Sequence, residues 1–193
     1  MTTKRGSTSI GPKQAAGGFH AVRFATASGR QMNLLATIDL TTLGINDNEA
    51  GTLFRKLWQR TTRWWAYERS KGRPLGSFAA LATHENPPGG PRHVHWLMHV
   101  PPKAANDVQD VIGKRLRKLT GMDCVGKALH FERVRKPGGV AKYMLKGVHP
   151  AFASHFHMVA VDQGIITGRR LAVSRSIGAT ARRNAGWRRK KQR

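Results

Sequence analysis

The sequence predicts an α+β fold, an antiparallel sheet with helices packed on it in the ferredoxin-like, split βαβ order of strand, helix, strand, strand, helix, strand. Three observations predict it. Four short apolar runs bounded by turn residues read as strands, two long segments among them carry helical periodicity, and a Pro/Gly loop joins the middle two runs. At 193 residues the chain suits one well-packed domain rather than two of ordinary size.

The first strand is "MNLLATIDL", residues 32–40, an apolar run that closes on Asp39. A helix follows over 46–72: Asn46 to Asn48 offer caps, acids occupy the first turn, and Leu53, Phe54, Leu57, Trp58, Thr61, Trp64 and Trp65 recur at helical spacing. That spacing assigns the tryptophans to the core rather than to a base-stacking platform. "LGSFAALATHEN" (75–86) and "RHVHWLMHV" (92–100) are strand-like. The "PPGGP" between them can continue neither, so they form a hairpin. The second helix is "AANDVQDVIGKRLRKLTG" (104–121), with Val108, Val111, Ile112, Leu116 and Leu119 inward and Gly121 as its stop. "ALHFERVR" (128–135) returns to strand, and "VAKYMLKG" (140–147) reads as a short helix after the free backbone of Pro137 to Gly139.

This domain is expected over 31–180. Residues 1–30 are rich in Gly, Ser, Thr and Ala, hold five Lys or Arg and no acid, and read as a mostly disordered basic arm. Residues 181–193 form a basic tail in which Trp187 is available to stack on a base.

Thirty-four Lys and Arg against ten acids leave a formal charge of +24, which points to a polyanion as partner, nucleic acid above all. No apolar run reaches the roughly 18 residues of a spanning helix, and no lipidation motif appears, so no membrane is expected. The single Cys124 cannot form an internal disulfide and the N-terminus lacks a signal-peptide apolar segment, so a cytoplasmic location is expected.

Within "PRHVHWLMHVP" (91–101), strand alternation points His93 and His95 to one face and Val94 and Trp96 to the other. Paired neutral imidazoles suit a transition metal, and an added carboxylate shifts the preference toward Mn or Mg. An even hairpin register puts Glu85 opposite His93, whereas a one-residue slip substitutes His84. His99 shares the face but lies about 13 Å from His95 along the strand, at the margin of such a site. The second triplet, His155 and His157, has no acid within a hairpin's reach before it and reads as background. In the later helix Tyr143 and Lys146 are three apart and so neighbours on one face. A fixed ammonium favours phenolate over phenol, which makes a Tyr-x-x-Lys pair a candidate nucleophile. The ordinary reading is an amphipathic Tyr beside a solvated Lys.

Together, "HVHWLM", the preceding Glu85 and the Tyr-x-x-Lys of "YMLK" resemble the HUH endonucleases, in particular the single-tyrosine rolling-circle replication initiators, or Rep proteins, of plasmids, phages and single-stranded DNA viruses. Their order matches "LLATIDL", "HVHWLM" and "YMLK" over 32–147, and the ferredoxin-like order is also that family's core. The relaxase branch places its Tyr before the histidines, as Tyr67 is here, but no Lys follows Tyr67 by three.

The resemblance implies metal-dependent, sequence-specific nicking and joining of single-stranded DNA at a replication origin, through a 5′-phosphotyrosine on Tyr143 assisted by Lys146. His93, His95 and Glu85 would hold one Mg2+ or Mn2+ ion. Arg92, Lys142, Arg169, Arg170, Arg188, Arg189, Lys190 and Lys191 are the expected phosphate contacts. The chain has no Walker-type phosphate loop, so unwinding would fall to a host helicase. The alternatives are a non-catalytic RNA- or DNA-binding protein of the same fold, and a related relaxase or single-tyrosine transposase.

Overall fold

The computed structural model describes residues 6–123 and 125–187. Its elements are β1 (Gly6–Ser7), α1 (Pro12–Ala27), β2 (Leu34–Asp39), α2 (Asp47–Ser70), β3 (Ala80–Glu85), β4 (His93–Met98), α3 (Ala105–Thr120), α4 (Val125–Ala128), β5 (Leu129–Arg133), α5 (Pro137–Met144), β6 (Ile166–Thr167), β7 (Leu171–Val173) and α6 (Ala179–Asn184). Short 3-10 turns lie at Pro102–Ala104, Pro150–Phe152, Ser154–Phe156 and Arg175–Ile177. Among the described residues no helix is long and apolar enough to cross a membrane.

The fold is α+β around a five-stranded antiparallel sheet in the order β5-β2-β4-β3-β7. The first four strands of that order are the four expected from sequence, and their arrangement is compatible with a split βαβ unit. The edge strand β7 was not expected. At three residues it is too short for its alternation to register.

Local chemistry explains the helix limits. Asn46 caps α2: its side chain accepts from Glu49 N at 3.2 Å while Glu49 accepts from Asn46 N at 3.3 Å, a reciprocal box that satisfies two donors of the first turn. Gly121, at φ +70°, ends α3 in the left-handed conformation that glycine adopts without steric cost.

Because side chains alternate, the sheet sorts them into two cores. Leu34, Ala36, Ile38, Ala80, Ala82, Val94, Trp96 and Met98 face α2 and α3. There Trp96 is wholly buried and Trp65, whose Nε1 donates to Gly76 O, is buried as its helical spacing predicts, while Trp58 stacks on Trp96 at 5.3 Å and stays only partly buried. Leu35, Leu81 and Leu97 face the other way, against α1 and α5.

The second core overturns the expectation of a disordered arm. Residues 12–27 are helical, and Ala15, Gly18, Ala21, Val22 and Ala25 are buried. Small residues recurring every three or four positions form a shallow stripe that lets α1 approach closely: a Cβ on Gly18 would stand 3.2 Å from Leu145 Cδ1. The far end is likewise partly ordered. Trp187 packs edge-on against His20 and Phe24 of α1 rather than standing free for a base. Residues 1–5 and 188–193 lie outside the described residues, and with them Arg188, Arg189, Lys190 and Lys191.

Candidate active site

The hairpin adopts the even register: Glu85 pairs with His93 and Thr83 with His95, while on the other side of β4 Asp39 pairs with His93 and Thr37 with His95. Two rows of polar side chains therefore cross adjacent strands at one end of the face whose other end is Leu35, Leu81 and Leu97. His84, the alternative partner under a slipped register, points to the opposite face and packs edge-on against Phe54.

Onto this polar end α5 delivers Tyr143 in its last turn. Lys146 lies just beyond the helix, in a turn closed by Lys146 N donating to Tyr143 O at 3.1 Å. The predicted adjacency holds although the helix has ended: Lys146 Nζ sits 3.7 Å from the centre of the Tyr143 ring, within cation–π range, and 3.0 Å from Glu85 Oε2. His95 meets the edge of the Tyr143 ring at 5.4 Å between centroids, and its Nε2 stands 3.5 Å from Glu85 Oε2. Tyr143 itself is half exposed, open to a substrate from outside, whereas Glu85 and His95 are buried beneath it.

The electrostatics follow from this packing. Burial pushes the Glu85 carboxyl upward, but the neighbouring His95 and Lys146 outweigh it and hold the group below the usual carboxylate range. Glu85 is thus a buried carboxylate at neutral pH. His93 is pushed below the ordinary imidazole value, first by burial and further by His95 and Lys146, against the pull of Asp39 and Glu85. Asp39 is lowered: burial raises it, yet the Thr41 and Thr42 donors and His93 outweigh that.

Three buried polar atoms here, Thr83 Oγ1, Glu85 Oε1 and His95 Nε2, have no hydrogen-bond partner among the described residues. Such atoms are costly unless something meets them. A neutral imidazole and a carboxylate are also donors that a Mg or Mn ion accepts, so the residues fit a cation in chemistry. The His93 and His95 rings are 5.8 Å apart between centroids, and among the described residues no group of three His, Cys, Asp or Glu stands together as a metal site.

The remaining expectations divide. His99 Nδ1 is engaged with Gln31 O at 2.8 Å, away from Glu85. His155 lies within a 3-10 turn over α1 and His157 caps that turn, so neither sits on a strand. Lys142 and Arg169 are exposed and available to phosphate, and Arg92 is half-buried beside the hairpin. Arg170 is a correction: it is 3% exposed, and its guanidinium donates to the carbonyls of Ser7, His84, Gln163 and Gly164. Carbonyls of β1, β3 and the 163–164 segment converge on the cation, a tertiary meeting that sequence spacing cannot reveal. The residue missed from sequence is Thr37, whose Oγ1 lies 3.0 Å from His95 Nδ1. Its signal was its alternation with Asp39 in "LLATIDL". Comparison with protein-family models, with curated proteins and with solved structures gave no match.

Proposed function

We propose that the protein is a single-stranded DNA nicking and joining enzyme of the HUH type that initiates rolling-circle replication of a plasmid or phage, with Tyr143 as nucleophile. One observation carries the reading: Tyr143 and Lys146, far from Glu85 and His95 in sequence, converge on them at the polar end of the sheet. An amphipathic Tyr with a solvated Lys would have no such company. The four-strand order of the sheet supports the ferredoxin-like core that the reading requires.

In the proposed reaction the Tyr143 phenolic oxygen attacks the scissile phosphorus and gives up its proton to solvent. The P–O3′ bond breaks, and the departing 3′ oxygen takes a proton to become a free hydroxyl. One phosphodiester is exchanged for another, so the 5′-phosphotyrosyl link retains the energy needed for a 3′-OH to reseal the strand by the reverse step. Lys146 brings positive charge to the place where phosphate oxygens and phenolate meet, where preorganised charge is most effective. Glu85 holds Lys146 in position and excludes a free swing of the ammonium. His95 and Glu85, joined by His93, would hold a divalent cation, which when bound would supply Lewis-acid polarisation of the phosphoryl group.

The test is incubation of the protein with end-labelled single-stranded DNA of its own replicon in Mn, Mg or EDTA, beside Tyr143→Phe. A cation-dependent, protease-sensitive covalent band that disappears in Tyr143→Phe, with binding unchanged, is the expected result. Persistence of the band in that variant overturns the assignment of the nucleophile. Absence of any band despite tight, salt-sensitive binding moves the reading to a non-catalytic nucleic-acid-binding protein.

A further inference from the structure

The face of the sheet opposite Tyr143 holds a groove of about 760 Å3 between α2 and the edge strand β7. The size is that of a small-ligand or nucleotide site. Its lining is chemically one-sided. Arg55 comes from α2, Arg169 and Arg175 come from either end of β7, and all three are exposed. No acidic side chain lines the groove among the described residues.

Between the arginines lie the rings of Phe54, Trp58 and His84. Trp58 is half-buried and lines the groove while stacked on the fully buried Trp96 at 5.3 Å and 22°, so its indole is fixed in place before any ligand arrives. His84 lines the same space from β3 and presents its imidazole to the groove beside Phe54. The lip is also fixed: Asp47 accepts from Thr167 N at 2.9 Å, which ties the β6 segment to the start of α2 and occupies the nearest carboxylate.

We propose that this groove is a second nucleic-acid site, holding an unpaired nucleotide with its base against Trp58 and its flanking phosphates on Arg55, Arg169 and Arg175. An aromatic surface among guanidinium groups is how single strands are held without reading their sequence. A duplex is disfavoured, because its bases are stacked on one another and cannot reach an indole set within a groove. His84 and Glu85 are neighbours on β3 that point to opposite faces, so a strand engaged at both sites must pass around the β7 edge. The groove's chemistry does not depend on cleavage at Tyr143.

The test is fluorescence anisotropy with labelled oligothymidylate and oligouridylate across a salt titration, in a Tyr143→Phe background so that chemistry cannot consume the probe. Arg55→Glu, Arg169→Glu and Arg175→Glu are compared with Arg117→Glu, the same charge change on an exposed position of α3 outside the groove lining. Each groove variant is expected to bind about tenfold more weakly than that control, with the slope of log affinity against log salt reduced by about 0.7 per lost phosphate contact. A loss on either sugar supports the site and identifies the strand it takes. Groove variants within about twofold of the control on both strands overturn it. Trp58→Leu, read beside its urea unfolding midpoint, is expected to lose about as much; should it unfold, the arginine variants carry the test. Failure of the covalent band in the nicking assay, with this binding pattern intact, would count against the proposed enzyme alone.

Discussion

Thr37 Oγ1 stands 3.0 Å from His95 Nδ1 on the neighbouring strand. When Nδ1–H donates to that hydroxyl, Nε2 is left with its lone pair directed toward Glu85, the state in which it can meet a cation or accept a proton. Thr37→Val keeps the shape and removes the acceptor. It is expected to lower covalent adduct formation by about tenfold at fixed Mn or Mg, with Thr37→Ser restoring it. Equal activity of the Val variant would show that the hydroxyl does not set the tautomer. Arg170 poses the opposite case, a cation whose work is structural. Its guanidinium meets four backbone carbonyls, so Arg170→Met is expected to cost about 2–4 kcal/mol in urea unfolding, the effect of removing several buried hydrogen bonds at once. A change below about 0.5 kcal/mol, the range of ordinary surface substitutions, would refute that role.

At the scale of elements, the parts with strong periodicity or explicit punctuation were legible in sequence. The capping box of Asn46 and Glu49, the helical spacing through Trp65, the "PPGGP" hairpin and the Gly121 stop all appear where the residues require. The pairing of Glu85 with His93 was one of two registers open to the sequence, because only packing on both faces excludes the slip. What escaped were α1 and β7. Ala and Gly bury too little apolar surface to mark a helix by hydrophobicity, and α1 is held by closeness of approach rather than by large side chains. The two glycines of α1 separate those effects. A Cβ at Gly17 meets nothing within 4 Å, whereas one at Gly18 presses on Leu145. Gly17→Ala is therefore expected to stabilise the fold by up to about 1 kcal/mol through helix propensity, and Gly18→Leu to destabilise it by about 1–3 kcal/mol through overpacking. Thermal unfolding of both variants checks the pair, and equal shifts of one sign would mean that α1 does not pack as described.

For the whole molecule, acid stability gathers the buried ionisable groups into one measurable curve. His84 is lowered to about 4, chiefly by burial, while an unfolded histidine titrates near 6.5. Between those values the unfolded chain binds a proton that the native chain does not, so stability rises with pH there and is lost on acidification. His93, also lowered by burial, adds to the same slope in the same direction. Glu85 and Asp39 are lowered as well, but a depressed carboxylate withdraws its contribution only as pH falls below the unfolded carboxylate range of about 4. The interval from pH 7 to 5 thus isolates the histidines. A net charge of +24 steepens the consequence, since every proton gained joins an already repulsive surface. Urea unfolding is expected to show the protein about 2 kcal/mol less stable at pH 5 than at pH 7, with His84→Leu losing most of that dependence. If wild type and His84→Leu lose stability in parallel, the imidazole at 84 is not held neutral by burial.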